Sequence, residues 1–135
     1  MRGVYRIIVA LAALLLAAPT TLAKESANGS QYWELEYIVA SVIYDGRPAG
    51  LLTVVPVVDM GSNRALEDVA IKRLEVQDHF LIGLNQYATS GFDPRGVINI
   101  NQIKRILQAQ LDSVIGPNRG VVYVISAHMA KRKGF

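Results

Sequence analysis

The chain of 135 residues is 51% apolar and 19% charged, with a formal net charge of +3 at pH 7, and its length accommodates one domain. It has no cysteine, which excludes disulfides, thiol chemistry and cysteine-ligated metals. All 11 acidic residues and 12 of the 14 basic residues lie after Ala23, so that part of the chain carries only +1 (12 minus 11) and does not indicate nucleic-acid binding.

The N-terminal segment, residues 1–23, has the organisation of a secretory signal peptide. Arg2 and Arg6 precede an unbroken apolar run over residues 7–18, and small residues precede a cut after Ala23. An uncleaved membrane anchor is the alternative, although the run is shorter than the roughly 20 apolar residues of a spanning helix. Both interpretations predict that the rest of the chain is exported.

A β-hairpin is predicted next. Residues 33–44 are rich in β-branched and aromatic side chains, which predicts a strand, and beyond Ile38 both of its faces are apolar, which predicts cover on both sides. The turn cluster DGRPAG over residues 45–50 joins it to a second strand over residues 51–58. Pro56 cannot donate a ladder hydrogen bond, so it should lie at a sheet edge or at a bulge.

One long amphipathic helix, about 40 Å in length, is predicted between its N-cap Ser62 and Gly91. Its apolar side chains are placed on one face by helical periodicity. They are Leu66, Val69, Ala70, Leu74, Val76, Phe80, Leu81, Leu84, Tyr87 and Ala88. Ile71 and Ile82 lie together on the opposite, polar face. They are either tolerated surface isoleucines or contacts to a second partner, such as another subunit.

A second helix and a closing strand complete the pattern. Asn99 is a good N-cap for the helix, and Gly116 followed by proline ends it. Residues 121–125 are predicted as a strand that extends toward Met129. The element order is therefore β-β-α-α-β, an α+β fold in which two helices pack on a small three-stranded sheet, either antiparallel or mixed. Such a sheet has an exposed face or edge that invites pairing with neighbours.

The domain organisation follows from these elements. A short polar tether over residues 24–31 precedes a single domain over residues 32–130, and a basic tail over residues 131–135 closes the chain. The charged side chains of the tail are Lys131, Arg132 and Lys133. The tail is either an ordinary solvated end or a segment that rests on anionic lipid headgroups.

No pattern in the sequence indicates catalysis, a metal site or a cofactor. His79 and His128 lie on different predicted elements and in no zinc-binding motif, and the chain has no G-x-S-x-G, P-loop or G-x-G-x-x-G. Glu34 and Glu36 share a strand face and are interpreted as a solvated edge, with a hydrolase built on Glu34, Glu36 or His128 as a remote alternative. We predict a non-enzymatic protein without cofactor or metal.

The aromatic residues Tyr32, Trp33, Tyr37 and Tyr44 cluster at the predicted hairpin. Packing in the core or at an interface is the simpler interpretation. The alternative is a small periplasmic protein that binds a ligand on its sheet, beneath Tyr37 and Tyr44.

Four segments of the chain together carry a family resemblance over residues 33–127. They are the hairpin ending in LLTVVPVVDM (51–60), the long helix opening with NRAL (63–66), the second helix INQIKRILQAQLDSVIGP (100–117) and the closing strand RGVVYVISA (119–127). Their order and hydrophobic spacing resemble the FliL family, the flagellar basal-body-associated proteins beside the stator units of the motor. Members usually keep a membrane anchor and a longer linker than this tether.

The resemblance implies a non-enzymatic accessory or scaffold protein of the periplasm. FliL-like domains are similar to the ring-forming stomatin-type domain, so the resemblance implies a homo-oligomer or a partner complex in the cell envelope, most specifically the flagellar stator. Contact with a membrane surface is a further expectation, and nucleic acid is not expected as a partner. The candidate interaction surface consists of Ile71, Ile82, the sheet edge near Pro56, and Lys131, Arg132 and Lys133.

Overall fold

The structure is a computed structural model that describes residues 31–135, so the predicted leader and residues 24–30 of the tether lie outside the described residues. The elements are β1 (Tyr32–Glu34), β2 (Ile38–Tyr44), β3 (Arg47–Asp59), α1 (Asn63–Val69), a 3₁₀ turn (Ala70–Lys72), α2 (Arg73–Ser90), α3 (Ile100–Ile115) and β4 (Val121–Lys131). All strand pairs are antiparallel, which confirms the predicted α+β fold.

The long strand β3 is the centre of the sheet. β4 pairs along one of its edges, while β1 and β2 pair with successive parts of the other edge. The predicted first strand is thus divided in two, and the sheet has four strands rather than three. Glu34 pairs with Val57 and Ile38 with Val54, so three residues between β1 and β2 stand opposite two on β3. This one extra residue interrupts the ladder.

The hairpin between β2 and β3 is confirmed. Tyr44 pairs with Arg47, which leaves Asp45 and Gly46 as a two-residue turn. Both turn residues have positive φ, 52° and 72°, as a type I′ turn requires. An aspartate followed by glycine is a common pair in this type of turn, so the sequence alone is enough to predict the hairpin.

Pro56 lies in the central strand at a bulge, where the register between β3 and β4 shifts. The Val122 N–H donates to Gln108 and therefore points away from β3. Because Val58 is paired with Val122, the backbone N–H and C=O of Val58 face the other side, toward β1. The backbone nitrogen of Pro56, two residues earlier, faces the same side. It lies opposite the gap between β1 and β2, where no backbone donor is needed for strand pairing. Its side chain is fully buried, so the prediction of Pro56 in an interaction surface is wrong.

The core lies between one face of the sheet and the helices. Its fully buried side chains include Val42, Leu52, Val54, Val58, Phe80, Leu84, Leu107, Leu111 and Val122. The other face of the sheet is not covered by the described residues, and Val39 on that face of β2 is exposed. The expectation that the strand beyond Ile38 is covered on both sides is therefore wrong.

The single long helix predicted after Ser62 is broken in the structure. Ser62 is its N-cap as predicted, with Oγ accepting from the Ala65 N–H at 3.1 Å. The 3₁₀ turn then separates α1 from α2, and at this turn Lys72 donates to the Val114 carbonyl of α3 at 3.2 Å. That carbonyl is in the last turn of α3, where carbonyls lack helical partners and a cation is favourable.

The break changes which side chains the helical segment buries. Val69, Val76, Phe80 and Leu84 are buried as predicted. Ala70, Leu74 and Leu81 are exposed, so their placement on the buried face is wrong. A 3₁₀ turn rotates about 120° per residue instead of about 100°, which shifts the periodicity of the residues on either side of it relative to one another.

The second helix and the last strand agree with the sequence, with one extension. Asn99 Oδ1 accepts from the Gln102 N–H at 3.1 Å, which confirms the N-cap. β4 continues to Lys131, which pairs with Gly50. Lys131, predicted as the first residue of the basic tail, is therefore the last residue of β4, and only residues 132–135 follow the strand.

Candidate interaction surfaces

The residues named as a remote hydrolase site do not come together. Glu34 lies on β1 opposite Val57, and His128 lies on β4 opposite Thr53. They occupy opposite edges of the sheet, four residues apart along β3, which corresponds to about 13 Å along the strand alone. Glu36 lies in the interruption between β1 and β2.

His79 has a structural environment at the contact between α2 and α3. Its Nδ1 lies 3.3 Å from Gln110 Oε1 and 3.5 Å from Ser113 Oγ. Within residues 31–135, no three histidine, aspartate or glutamate side chains are grouped closely enough to hold a metal ion.

The aromatic residues proposed to share a ligand site are also separated. Tyr37 is exposed in the gap before β2, and Tyr44 is at the far end of that seven-residue strand. Trp33 is buried and belongs to the core. Tyr37 and Tyr44 therefore frame no common pocket, and the layer beneath the sheet is filled by fully buried side chains.

Four large apolar side chains are exposed on the 3₁₀ turn and α2, and we call them the outer helix face. They are Ile71, Leu74, Leu81 and Ile82, with exposed fractions of 91%, 74%, 40% and 51%. Leu74 and Ile82 are eight residues apart, which places them on the same side of α2 about two turns apart. This face therefore contains both predicted isoleucines and two leucines that periodicity had assigned to the core.

The sheet face without helices carries a second exposed apolar area. Tyr123 and Ile125 of β4 line a shallow cleft of about 410 Å³ together with Tyr32, Glu34 and Val57. The Lys104 side chain reaches this area from α3, with its Nζ 4.7 Å from the centre of the Tyr123 ring, a cation–π contact.

The outer edge of β4 is protected at its beginning by Gln108 of α3. The Gln108 amide donates to the Gly120 carbonyl at 2.9 Å and accepts from the Val122 N–H at 2.8 Å. This side chain thus takes the place of a neighbouring strand. No feature of the sequence pointed to this role, because Gln108 is simply a polar residue beside the buried Leu107.

The third surface is at the end of the sheet where β3 begins. Arg95, from the loop between α2 and α3, lies over the Tyr44 ring at 4.7 Å and donates to the Tyr44 hydroxyl. Arg95 also forms a salt bridge with Asp93, 3.2 Å between Nε and Oδ1. The side-chain hydrogen bond from Arg95 lowers the pKa of the Asp93 carboxyl, and the same bond raises the pKa of Arg95.

The predicted basic tail is tied to this third surface. The Arg132 N–H donates to the Ala49 carbonyl at 2.7 Å, and the Phe135 N–H donates to the Arg132 carbonyl at 3.2 Å. The Phe135 ring packs edge-on against Tyr44 with 6.5 Å between ring centres. Lys131, Arg132 and Lys133 thus sit at the Arg47 end of β3, away from Ile71 near the opposite end, so the candidate residues form two surfaces.

No protein-family model matches this chain, and no curated protein matches it either. No helix of residues 31–135 is sufficiently long and apolar to span a membrane.

Proposed function

We propose that this protein is a non-enzymatic accessory or scaffold protein of the periplasm that associates with itself or with a protein complex of the cell envelope. The main support for this proposal is the exposure of large apolar side chains on the outer helix face. A surface helix normally has one apolar stripe and a polar opposite side. α2 has apolar side chains on both sides, because Phe80 and Leu84 fill the core while Leu74 and Ile82 face outward.

The exposed side chains suit a protein partner. Clustered large apolar residues on a surface are typical of contact sites, whereas scattered single ones are ordinary. Asp78 lies between Leu74 and Ile82 on the same side of α2, so a polar group accompanies the apolar ones. A mixture of this kind is common at interfaces that form between proteins stable on their own.

The most specific form of this proposal is a FliL-like role beside the flagellar stator. It is supported by the order of elements, a leading hairpin, a long helical segment, a second helix and a closing strand, which resembles the FliL pattern. In this form the outer helix face contacts either a second copy or a motor protein.

Swimming in soft agar tests this function. A deletion strain should swim poorly, and the wild-type gene should restore swimming. A gene with Leu74→Glu and Ile82→Glu should fail to restore it, because two buried charges at an interface are costly. Val97→Glu is the matched control, since Val97 is 95% exposed but lies in a loop.

The outcomes separate the parts of the proposal. Normal swimming of the deletion strain would contradict the motor role and leave a different envelope complex to be identified. A swimming defect that the double variant repairs as well as wild type would contradict the role of the outer helix face. Thermal unfolding of each purified variant shows whether the substitutions leave the fold intact.

A further inference from the structure

We propose that one end of the domain is a docking surface for an anionic phospholipid membrane. This surface, the basic end, consists of Arg47, Arg95, Lys131, Arg132 and Lys133 beside the rings of Tyr44 and Phe135. It shares no residue with the outer helix face, so it goes beyond the proposed protein–protein function and does not depend on it.

Three separate segments bring the basic residues to one end of the sheet, where the side chains of Arg47, Arg95 and Lys133 line one cleft. Arg47 begins β3 directly after the hairpin turn, Arg95 comes from the loop between α2 and α3, and Lys131 ends β4. The last residues fold back as a turn closed by the Phe135 N–H and the Arg132 carbonyl. Gly134 has a φ of 105° in this turn, a backbone conformation that residues other than glycine rarely adopt.

The charge of the domain is concentrated at this end. Counted over side chains, five basic residues stand against Asp45 and Asp93, a side-chain charge of +3. Residues 31–135 contain 11 basic and 10 acidic residues, a net charge of +1, so the remainder of the domain carries −2. A domain polarised in this way is oriented by a negative surface, with the basic end toward it.

The basic side chains are available for a partner. Within the described part of the chain, neither Arg47 nor Lys133 has a carboxylate within 4 Å. Both line an open cleft of about 530 Å³ together with Tyr44, Asp45, Arg95, Gly134 and Phe135. Arg95 is held in place over the Tyr44 ring by its contacts to Asp93 and the Tyr44 hydroxyl.

A lipid surface fits this end better than a single bound anion does. Among residues 31–135 no charged side chain is buried, so the basic end lacks an enclosed pocket built around one ligand. Exposed basic groups on three segments can instead contact several phosphates at once. Phe135 lines the same cleft and remains 38% exposed, and aromatic rings beside basic residues are typical of membrane interfaces.

Vesicle sedimentation of the purified full chain tests the proposal. Vesicles of phosphatidylcholine alone are compared with vesicles that also contain phosphatidylglycerol. The variant Arg47→Glu with Lys133→Glu is compared with Arg64→Glu with Arg105→Glu, which changes the net charge equally at exposed sites on α1 and α3. Any contribution of the leader is common to all these proteins.

The wild-type chain should bind the anionic vesicles more tightly than the neutral ones, and salt should weaken this binding. The basic-end variant should bind the anionic vesicles at least about tenfold more weakly, because each basic residue near such a surface contributes about 1 kcal/mol and 1.4 kcal/mol corresponds to tenfold. The control variant should stay within about twofold of wild type.

Three results would overturn the proposal. One is equal binding to neutral and anionic vesicles, and another is equal weakening by both double variants, which would make net charge the cause. The third is binding of the chain to polyglutamate, lost in the basic-end variant, without binding to anionic vesicles, because the partner would then be an acidic protein. None of these results affects the swimming test, so the two proposals fail separately.

Discussion

Gly50 shows at the residue scale how closely the strands of this sheet approach one another. Its φ is 151°, in the region that favours glycine. A Cβ at this position would overlap the Ala130 carbonyl oxygen and lie 2.8 Å from Met129 Cε. From the sequence, Gly50 is the end of a turn cluster; in the structure it pairs with Val42 and Lys131 inside the sheet. The need for glycine at this position comes from contact with β4, eighty residues later in the chain, and no local sequence pattern reveals that contact.

We predict that Gly50→Ala lowers the free energy of unfolding by at least about 2 kcal/mol, since the backbone of Ala130 cannot move away without breaking the β3–β4 ladder. Urea unfolding measures this change. Gly46→Ala is the control, because Gly46 has φ of 72° but nothing within 4 Å of an added Cβ. It should lose only about 1 kcal/mol. Equal losses would show that the positive φ matters and the contact with β4 does not.

At the scale of elements, the features that the sequence predicts correctly are those with local causes. Ser62 and Asn99 cap helices through side-chain hydrogen bonds within three residues, and the Asp45–Gly46 turn depends on the conformations of two residues. The broken helix and the divided first strand lie at places where distant segments meet. Lys72, for example, contacts Val114, and helical periodicity carries no information about that contact.

The Gln108 side chain links α3 to the edge of β4. Gln108→Ala leaves the Gly120 carbonyl and the Val122 N–H without their partner in a partly buried position. We expect a loss of about 1–3 kcal/mol in the free energy of unfolding, measured in urea. Gln102→Ala in the first turn of the same helix should change stability by less than about 0.5 kcal/mol.

A second measurement distinguishes the role of Gln108 at the strand edge from simple packing. Hydrogen exchange of the Val122 amide should accelerate in Gln108→Ala more than the exchange of amides in the centre of β3. Uniform acceleration across the sheet would contradict a specific role at the β4 edge, since it would reflect global destabilisation alone.

At the scale of the whole molecule, the domain is an α+β layer with distinct surfaces and a filled core. The sequence indicated Ile71, Ile82 and the basic residues 131–133 as surface features, because exposed apolar and charged residues can be recognised against a periodic background. It missed Leu74, because the 3₁₀ turn shifts the helical phase, and Arg95, because the loop that carries it reaches Tyr44 only after folding. A site assembled from distant segments has no linear pattern to predict it.

Photo-crosslinking in living cells tests whether the outer helix face contacts a protein. A photoreactive residue is placed at Ile71, at Ile82 or, as the control, at the exposed loop residue Val97. We expect discrete adducts, with a second copy or with an envelope protein, from Ile71 and Ile82 and not from Val97. Absence of adducts from both isoleucine positions, or the same adducts from Val97, would contradict this contact.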